Sequence, residues 1–261
     1  MNETLRTIHS LRSIHGGFTT QRIDAADLQA ILEAAVRAAS ASARQSYSII
    51  VVDDRADMKE YLQYVGDKAL IFCVDYNRLA DTAAYLQQPF GCGGLTDFIT
   101  GSTDTILAAQ TAAIAAKSLG IDSLFTNSIH RGDLRQFYAK FNLPGQRCFP
   151  LIALILGYAV HPGQPSRGRL TGPGIIHHGQ YRQLAAAETG QIVAAYDRPD
   201  QNMGLIFRPD PSQSRYFDWF YKVWCKPKDP AQAERKQLEL YQVLQTTGFL
   251  DNKYGSPAEP G

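Results

Sequence analysis

The segment "STDTILAAQTAAIAAKSLG", residues 102–120, constrains the fold more than any other. Six alanines between 108 and 116 and no proline predict a helix. Ser102 is placed to cap it, Asp104 to face the positive end of its dipole, Lys117 to suit its last turn and Gly120 to end it. Its side chains are small enough for another helix to approach closely. A second strong helix is predicted over 24–40, with Asp24 as its cap and Leu28, Ile31, Leu32, Ala35 and Val36 as one apolar face. Shorter helices are predicted over 4–11, 55–65, 78–87 and 131–141, and a loop with some helical character over 90–101. Strands with apolar middles are predicted at 46–54, 68–77, 121–127 and 148–158. Helices thus alternate with apolar strands up to about residue 160, an α/β or α+β pattern with a covered sheet. The pattern then weakens to a helix near 187–196, an aromatic segment "YFDWFYKVW" at 216–224 and a helix at 230–246.

Several function classes are disfavoured early. Twenty-six basic and 25 acidic residues leave a net charge of +1, without the basic excess of a nucleic-acid binder. Cys73, Cys92, Cys148 and Cys225 form no C-x-x-C, which argues against zinc, an iron–sulfur cluster or a disulfide framework. A reducing cytoplasm is the expected compartment. The opening "MNETLRTIHSLRS" has no apolar core of a signal peptide, and no run reaches the ~18 apolar residues of a membrane span. There is no G-x-S-x-G, no H-E-x-x-H, no P-loop and no G-x-G-x-x-G after a strand. His177 and His178 are neighbours, which in a strand would face opposite sides, so they make a poor metal pair.

Four polar turns at the ends of hydrophobic elements remain. "SLRSIHGGF" (10–18) offers Arg12, Ser13 and His15, whose donors suit a phosphate or simply a solvated helix end. "SASARQSYS" (40–48) offers Ser and Gln side chains that suit the edge of a flat heterocycle or an ordinary turn. "TNSIHRGD" (126–133) follows an apolar strand. "PSRGRLTGPG" (165–174) places Arg167 and Arg169 around a glycine after the last apolar strand, either as solvated charges or as a phosphate dock.

Taken in order, "LRSIHGGF", "ASASARQSYSIIVV", "GSTDTILAAQTAAIAAKSLGIDSLFTNSI" and "PLIALILGYA…SRGRL" resemble the FMN-dependent nitroreductase superfamily. The nearest branch is that of the NADPH-flavin reductases and oxygen-insensitive nitroreductases. "VDYNRL" (74–79) and "GRLTGPGIIHHGQY" are similar to the same branch, and the resemblance spans roughly residues 5–197. It implies an α+β fold with a central, mostly antiparallel sheet flanked by helices, and a homodimer with FMN at the subunit interface. It implies an FMN-binding domain over 1–200, with 201–261 an extension packed on the same domain or on the partner.

The resemblance also assigns roles. Arg169 binds the FMN phosphate with Arg12 and Ser13, and Arg167 lies near the pyrimidine side and phosphate region. Ser40, Ser42 and Gln45 line the ring and ribityl chain. Asn127 and Ser128 stand where the family has a Gly-Gly pair whose backbone donors face the ring. His15 replaces a usual Arg or Lys, which weakens phosphate binding where imidazole is neutral. Ala43 replaces a usual Asn. The implied activity is ping-pong transfer from NADH or NADPH through FMN to nitroaromatic, quinone or flavin acceptors, with no catalytic side chain in the first half-reaction. Alternatives are a flavin enzyme for a dedicated metabolite, a non-catalytic FMN carrier and a flavin-free structural dimer. The aromatic segment at 216–224 is either packed or roofs the substrate pocket.

Overall fold

Strands β1 (Tyr47–Val52), β2 (Lys68–Asp75), β3 (Asp122–Thr126) and β4 (Cys148–Gly157) form one sheet in the order β1-β2-β4-β3. Every neighbouring pair is antiparallel. This computed structural model describes residues 1–15, 17–162, 167–198, 200, 203, 215–225 and 230–250. The central strands β2 and β4 read as near-continuous apolar runs because both of their faces are covered. Leu70, Phe72, Leu154 and Leu156 point to one side, against α2 (Ala25–Val36) and α5 (Leu95–Ser118). Ala69, Ile71, Cys73, Ala153 and Ile155 point to the other, against Met58, Leu62, Leu134 and Phe137. The sheet is therefore the middle of three layers, as the α+β expectation required.

The chain divides into two compact units, Met1–Pro162 with Glu234–Gly261, and Gly163–Ala233. The first also carries α1 (Glu3–Ser10), α3 (Arg55–Asp57), α4 (Asn77–Tyr85), α6 (Leu134–Lys140) and, from Glu234 on, α9 (Pro230–Thr246). Leu240 and Val243 of α9 pack beside Leu134 and Phe137. The second unit holds α7 (Ala186–Asp197) and α8 (Tyr216–Val223). There Tyr196 stacks on Tyr216 at 4.9 Å, and the Asp197 carboxylate accepts the Tyr216 N–H at 2.6 Å. Trp219 lies 6.0 Å from Tyr216, so the segment is a helix packed at its Tyr216 end, while Tyr221, Val223 and Trp224 are exposed.

Several local expectations need correction. Helix α2 stops at Val36 rather than 40, because the chain enters a left-handed turn at Ser42 and Ala43. Asp24 occupies its N-cap position but makes no capping hydrogen bond with its side chain. Val36 is exposed, not part of the buried stripe. The helix expected over 55–65 is one α turn followed by a π-helical stretch, Met58–Leu62, that ends at a left-handed Gln63. The largest correction concerns α5, which starts at Leu95, not Ser102. Asp97 in its first turn accepts the Gly93 N–H at 2.9 Å, so the acid that suits the dipole is Asp97. Ser102 and Asp104 lie inside the helix.

Candidate functional site

Among the described residues of the first unit, the turn at 40–45 holds the densest run of left-handed side-chain-bearing residues. Ser42, Ala43 and Gln45 have φ of 51°, 54° and 52°, a region L-residues other than Asn and Asp seldom occupy. Each such residue costs of the order of 1–3 kcal/mol and persists only where its surroundings over-determine it. Three side chains do so. Ser40 Oγ accepts the Gln45 N–H at 2.9 Å. The carboxylate of Asp104, only 2% exposed, accepts the Ala41 N–H at 2.9 Å and the Ser46 N–H at 3.3 Å. Arg78, from α4, donates to the carbonyls of Arg44 and Gln45, both at 2.6 Å. The turn uses most of its own donors: the Ala43 and Arg44 N–H groups bond to the Ser40 and Ala41 carbonyls at 3.2 and 3.0 Å, so what it presents outward is chiefly the exposed Ser42. Ser42 and Ala43 are exposed at its tip.

Gly101 makes this arrangement possible. A Cβ there would lie 2.6 Å from Val74 Cγ1 and 3.0 Å from Tyr76 Cε2, so only glycine lets α5 come this close to the end of the sheet. One turn later the helix delivers Asp104 to the 41–46 backbone.

The 12–15 segment lies along β3. Ser13 bridges Ser123 in parallel, and the Ile14 N–H donates to the Ser123 carbonyl at 3.1 Å. Ile14 is buried, while Ser13 and His15 on either side of it are exposed. Arg12 donates to both oxygens of Asp122, Nη2–Oδ2 3.0 Å and Nε–Oδ1 3.4 Å, and Lys117 adds a third bond at 2.9 Å. Burial pushes the Asp122 carboxyl up, but the bonds from Arg12 and Lys117 together outweigh it and leave it below the usual range. His15 meets the edge of Tyr64, with ring centres 6.3 Å apart.

Asn127 and Ser128 follow β3 directly. Asn127 is exposed. Ser128 is buried, and its Oγ donates to the Leu62 carbonyl at 2.5 Å. Its backbone N–H is bonded to Thr126 Oγ1 at 3.1 Å. The stretch from Leu62 to Tyr64 therefore borders both Ser128 and His15.

Arg167 and Arg169 belong to the second unit. Arg169 is exposed and donates to the Gly168 carbonyl at 2.9 Å. With Thr171, Gly172, Gln191 and Glu188 it lines a cavity. Glu188 is paired with Arg182, whose hydrogen bonds, followed by the Ala185 N–H, draw its carboxyl down to about 2. Arg167 is half-buried, and burial pulls its guanidinium below the usual value; Tyr216 opposes this and Arg169 adds to it.

The structure thus brings Ser40, Ser42 and Gln45 together on one turn, and Arg12, Ser13 and His15 on another. It does not bring those two groups together within one chain. Following the strand pairing, Asp122 is level with the Val52 end of β1, whereas the 40–45 turn precedes Tyr47 at the other end. Asp122 pairs with Gly157, two positions past the level of Val52, so the two are offset by roughly 24 Å along the strands and about 14 Å across them. Sequence reasoning missed Asp104 as a turn anchor, and missed Arg78 altogether. The signal for Asp104 was present: it shares the helix face of Ala108 and Ala112, four and eight residues on, and an acid on a buried face needs a partner.

Nucleophilic chemistry gets little support from the side chains. Cys73 and Cys148 are buried, and the bond to Cys148, then burial, raise the Cys73 thiol well above its usual value. Burial lowers His130, against its bond to the Pro150 carbonyl. Among the described residues no group of three His, Cys, Asp or Glu could hold a metal, and no helix is long and apolar enough to cross a membrane.

Comparisons with known proteins agree with this picture. Residues 8–158 match the nitroreductase family. The chain is 29% identical to an NADPH-flavin oxidoreductase of Vibrio harveyi, over 87% of this chain and 91% of that protein. It is 29% identical to an FMN reductase [NAD(P)H] of Bacillus subtilis, over 76% and 81% respectively. The structure of B. megaterium NfrA2 superposes with a TM-score of 0.80 at 24% identity, covering 97% of this chain and 100% of that one, which shows a common fold.

Proposed function

The chain belongs to the nitroreductase family, and from that premise we propose that it is an FMN-dependent NAD(P)H oxidoreductase. The observation that carries the reading is the 40–45 turn, a strained polar turn pinned by Ser40, Asp104 and Arg78 at the end of a sheet. The donor chemistry fits FMN: the Ser40, Ser42 and Gln45 side chains of the turn for the carbonyl edge of a flat heterocycle, and guanidinium groups for a phosphate. FMN, when bound, supplies acceptance of a hydride equivalent from NAD(P)H and delivery of electrons to a second substrate.

The protein's part is to bind and orient. Ser40, Ser42 and Gln45 position the ring. Arg12, Ser13 and His15, with Arg167 and Arg169, neutralise the phosphate. Arg12 is held in place for this by Asp122. Asn127, exposed, narrows the approach to the ring, while Ser128, with its Oγ and N–H both bonded inside the subunit, holds the turn rather than facing the ligand. The acceptors are small aromatic or quinone molecules that stack on the same exposed face.

The working form is a homodimer with the flavin shared between subunits. Leu95, Ile99 and Ile106 of α5 are 55%, 59% and 52% exposed, at spacings of four and seven that align them in one stripe. A second copy is the occupant this apolar stripe suits, because the 12–15 segment and the 40–45 turn are too far apart on one chain to share a ligand. A two-fold axis sets one copy's turn beside the other's 12–15 segment.

Titrating FMN into the FMN-free Arg169→Ala protein tests the phosphate assignment. Its dissociation constant is expected to rise by roughly tenfold to a hundredfold, with Arg169→Lys in between because lysine cannot make two parallel bonds. Unchanged affinity in Arg169→Ala would remove Arg169 from the site.

A further inference from the structure

We propose that Asp104 and Arg78 are positioning residues for the flavin: they clamp the 40–45 turn in its left-handed form from its buried and its exposed side. The inference rests on the reading above that this turn contacts FMN. The described hydrogen bonds of both side chains go to the turn rather than to their own helices. The face of α5 that carries Asp104 otherwise buries Ala108 and Ala112, and an ionised carboxylate there is costly unless hydrogen-bonded. The turn answers that need: Asp104 binds the Ala41 and Ser46 N–H groups, one on each side of Ser42, Ala43 and Gln45. Gly101 sacrifices helix propensity one turn earlier so that the helix can come within reach. Arg78 is exposed and extends from α4 to the carbonyls of Arg44 and Gln45, the peptide groups that flank the last left-handed residue. Remove either clamp and the alanine at 43, which lacks the tolerance of Asn or Gly for positive φ, turns toward the right-handed region. The turn then loses its fixed shape, and the exposed Ser42 its position.

The test uses the full chain carrying Asp104→Asn or Arg78→Gln, each with and without Ala43→Gly. Amide hydrogen exchange is measured on the FMN-free proteins and FMN affinity by fluorescence titration. Amides at 41–46 are expected to exchange faster while those of β2 and β4 do not change. The FMN dissociation constant is expected to rise about tenfold, the loss of one or two charge-assisted bonds. Ala43→Gly is expected to return most of that affinity, because glycine adopts positive φ freely; a general loss of stability would not be rescued there. Unchanged exchange at 41–46 in both variants would overturn the clamp. Faster exchange with unchanged FMN affinity would overturn the flavin role and, with it, the assignment of this turn. Absence of rescue by Ala43→Gly would overturn positioning in favour of general destabilisation. Should Asp104→Asn not fold, Arg78→Gln, a surface change, decides by the same readouts.

Discussion

Glutamate in place of Ile106 is expected to convert the protein from dimer to monomer and to strip it of FMN. Ile106 sits with Leu95 and Ile99 on the exposed stripe of α5 and is itself half exposed. A carboxylate there does not disturb the subunit's own core. In the proposed dimer it would be buried twice, once per subunit. Even a few kcal/mol for each burial weakens association by roughly a thousandfold or more. FMN affinity falls with it, because the 12–15 segment and the 40–45 turn then no longer reach one ligand. Light scattering after size exclusion gives the mass, and the visible spectrum gives the flavin content. A variant that remains dimeric and yellow would place the interface elsewhere. A wild-type monomer that binds FMN tightly would contradict the shared site itself.

Gly101→Ala is expected to destabilise, against the rule for its position. In an ordinary helix interior, alanine is about 1 kcal/mol better than glycine. Here the new methyl group would stand 2.6 Å from Val74 Cγ1 and 3.0 Å from Tyr76 Cε2, and both neighbours are fully buried. Overpacking of this kind costs about 1–3 kcal/mol, and the shift that relieves it draws Asp104 away from Ala41 and Ser46. The steric cost wins, for a net loss of up to about 2 kcal/mol and a Tm lower by up to roughly 8 °C. FMN affinity is expected to fall further than stability does, since the turn loses its buried anchor. Calorimetry of the FMN-free protein and an FMN titration check both. A raised Tm would show that α5 has room to spare at this contact.

The parts of this architecture that could be read from sequence are those in which one physical demand dominates. β2 and β4 were legible because strands covered on both faces must be apolar throughout. The alanine stretch of α5 was legible because nothing in it competes with the helix. The first two turns of α5 were not: "GCGGLTDFITG" is rich in glycine, and Gly101 is there for a close approach that only the folded sheet reveals. The π-helical stretch Met58–Leu62 has no sequence signature, since the same residues suit an α-helix equally well. For the site, Arg12, Ser13, His15, Ser40, Ser42, Gln45, Asn127, Ser128, Arg167 and Arg169 stood out as polar turns after apolar elements, and their roles came from resemblance. Asp104 was read for its helix dipole. Its partners, the N–H groups of Ala41 and Ser46, lie some sixty residues away in sequence, and no local pattern announces them. The offset between the Arg12 segment and the 40–45 turn depends on strand order, which periodicity does not encode.

The central claim is that this chain holds FMN and reduces it with a nicotinamide. Its most direct test is the visible spectrum of the purified, FMN-reconstituted protein under anaerobic conditions, followed as NADPH or NADH is added. The account predicts a bound flavin band that bleaches rapidly with at least one donor and returns when a quinone or nitroaromatic is admitted. A protein that binds no FMN, or one whose bound flavin stays oxidised with both donors, would contradict it.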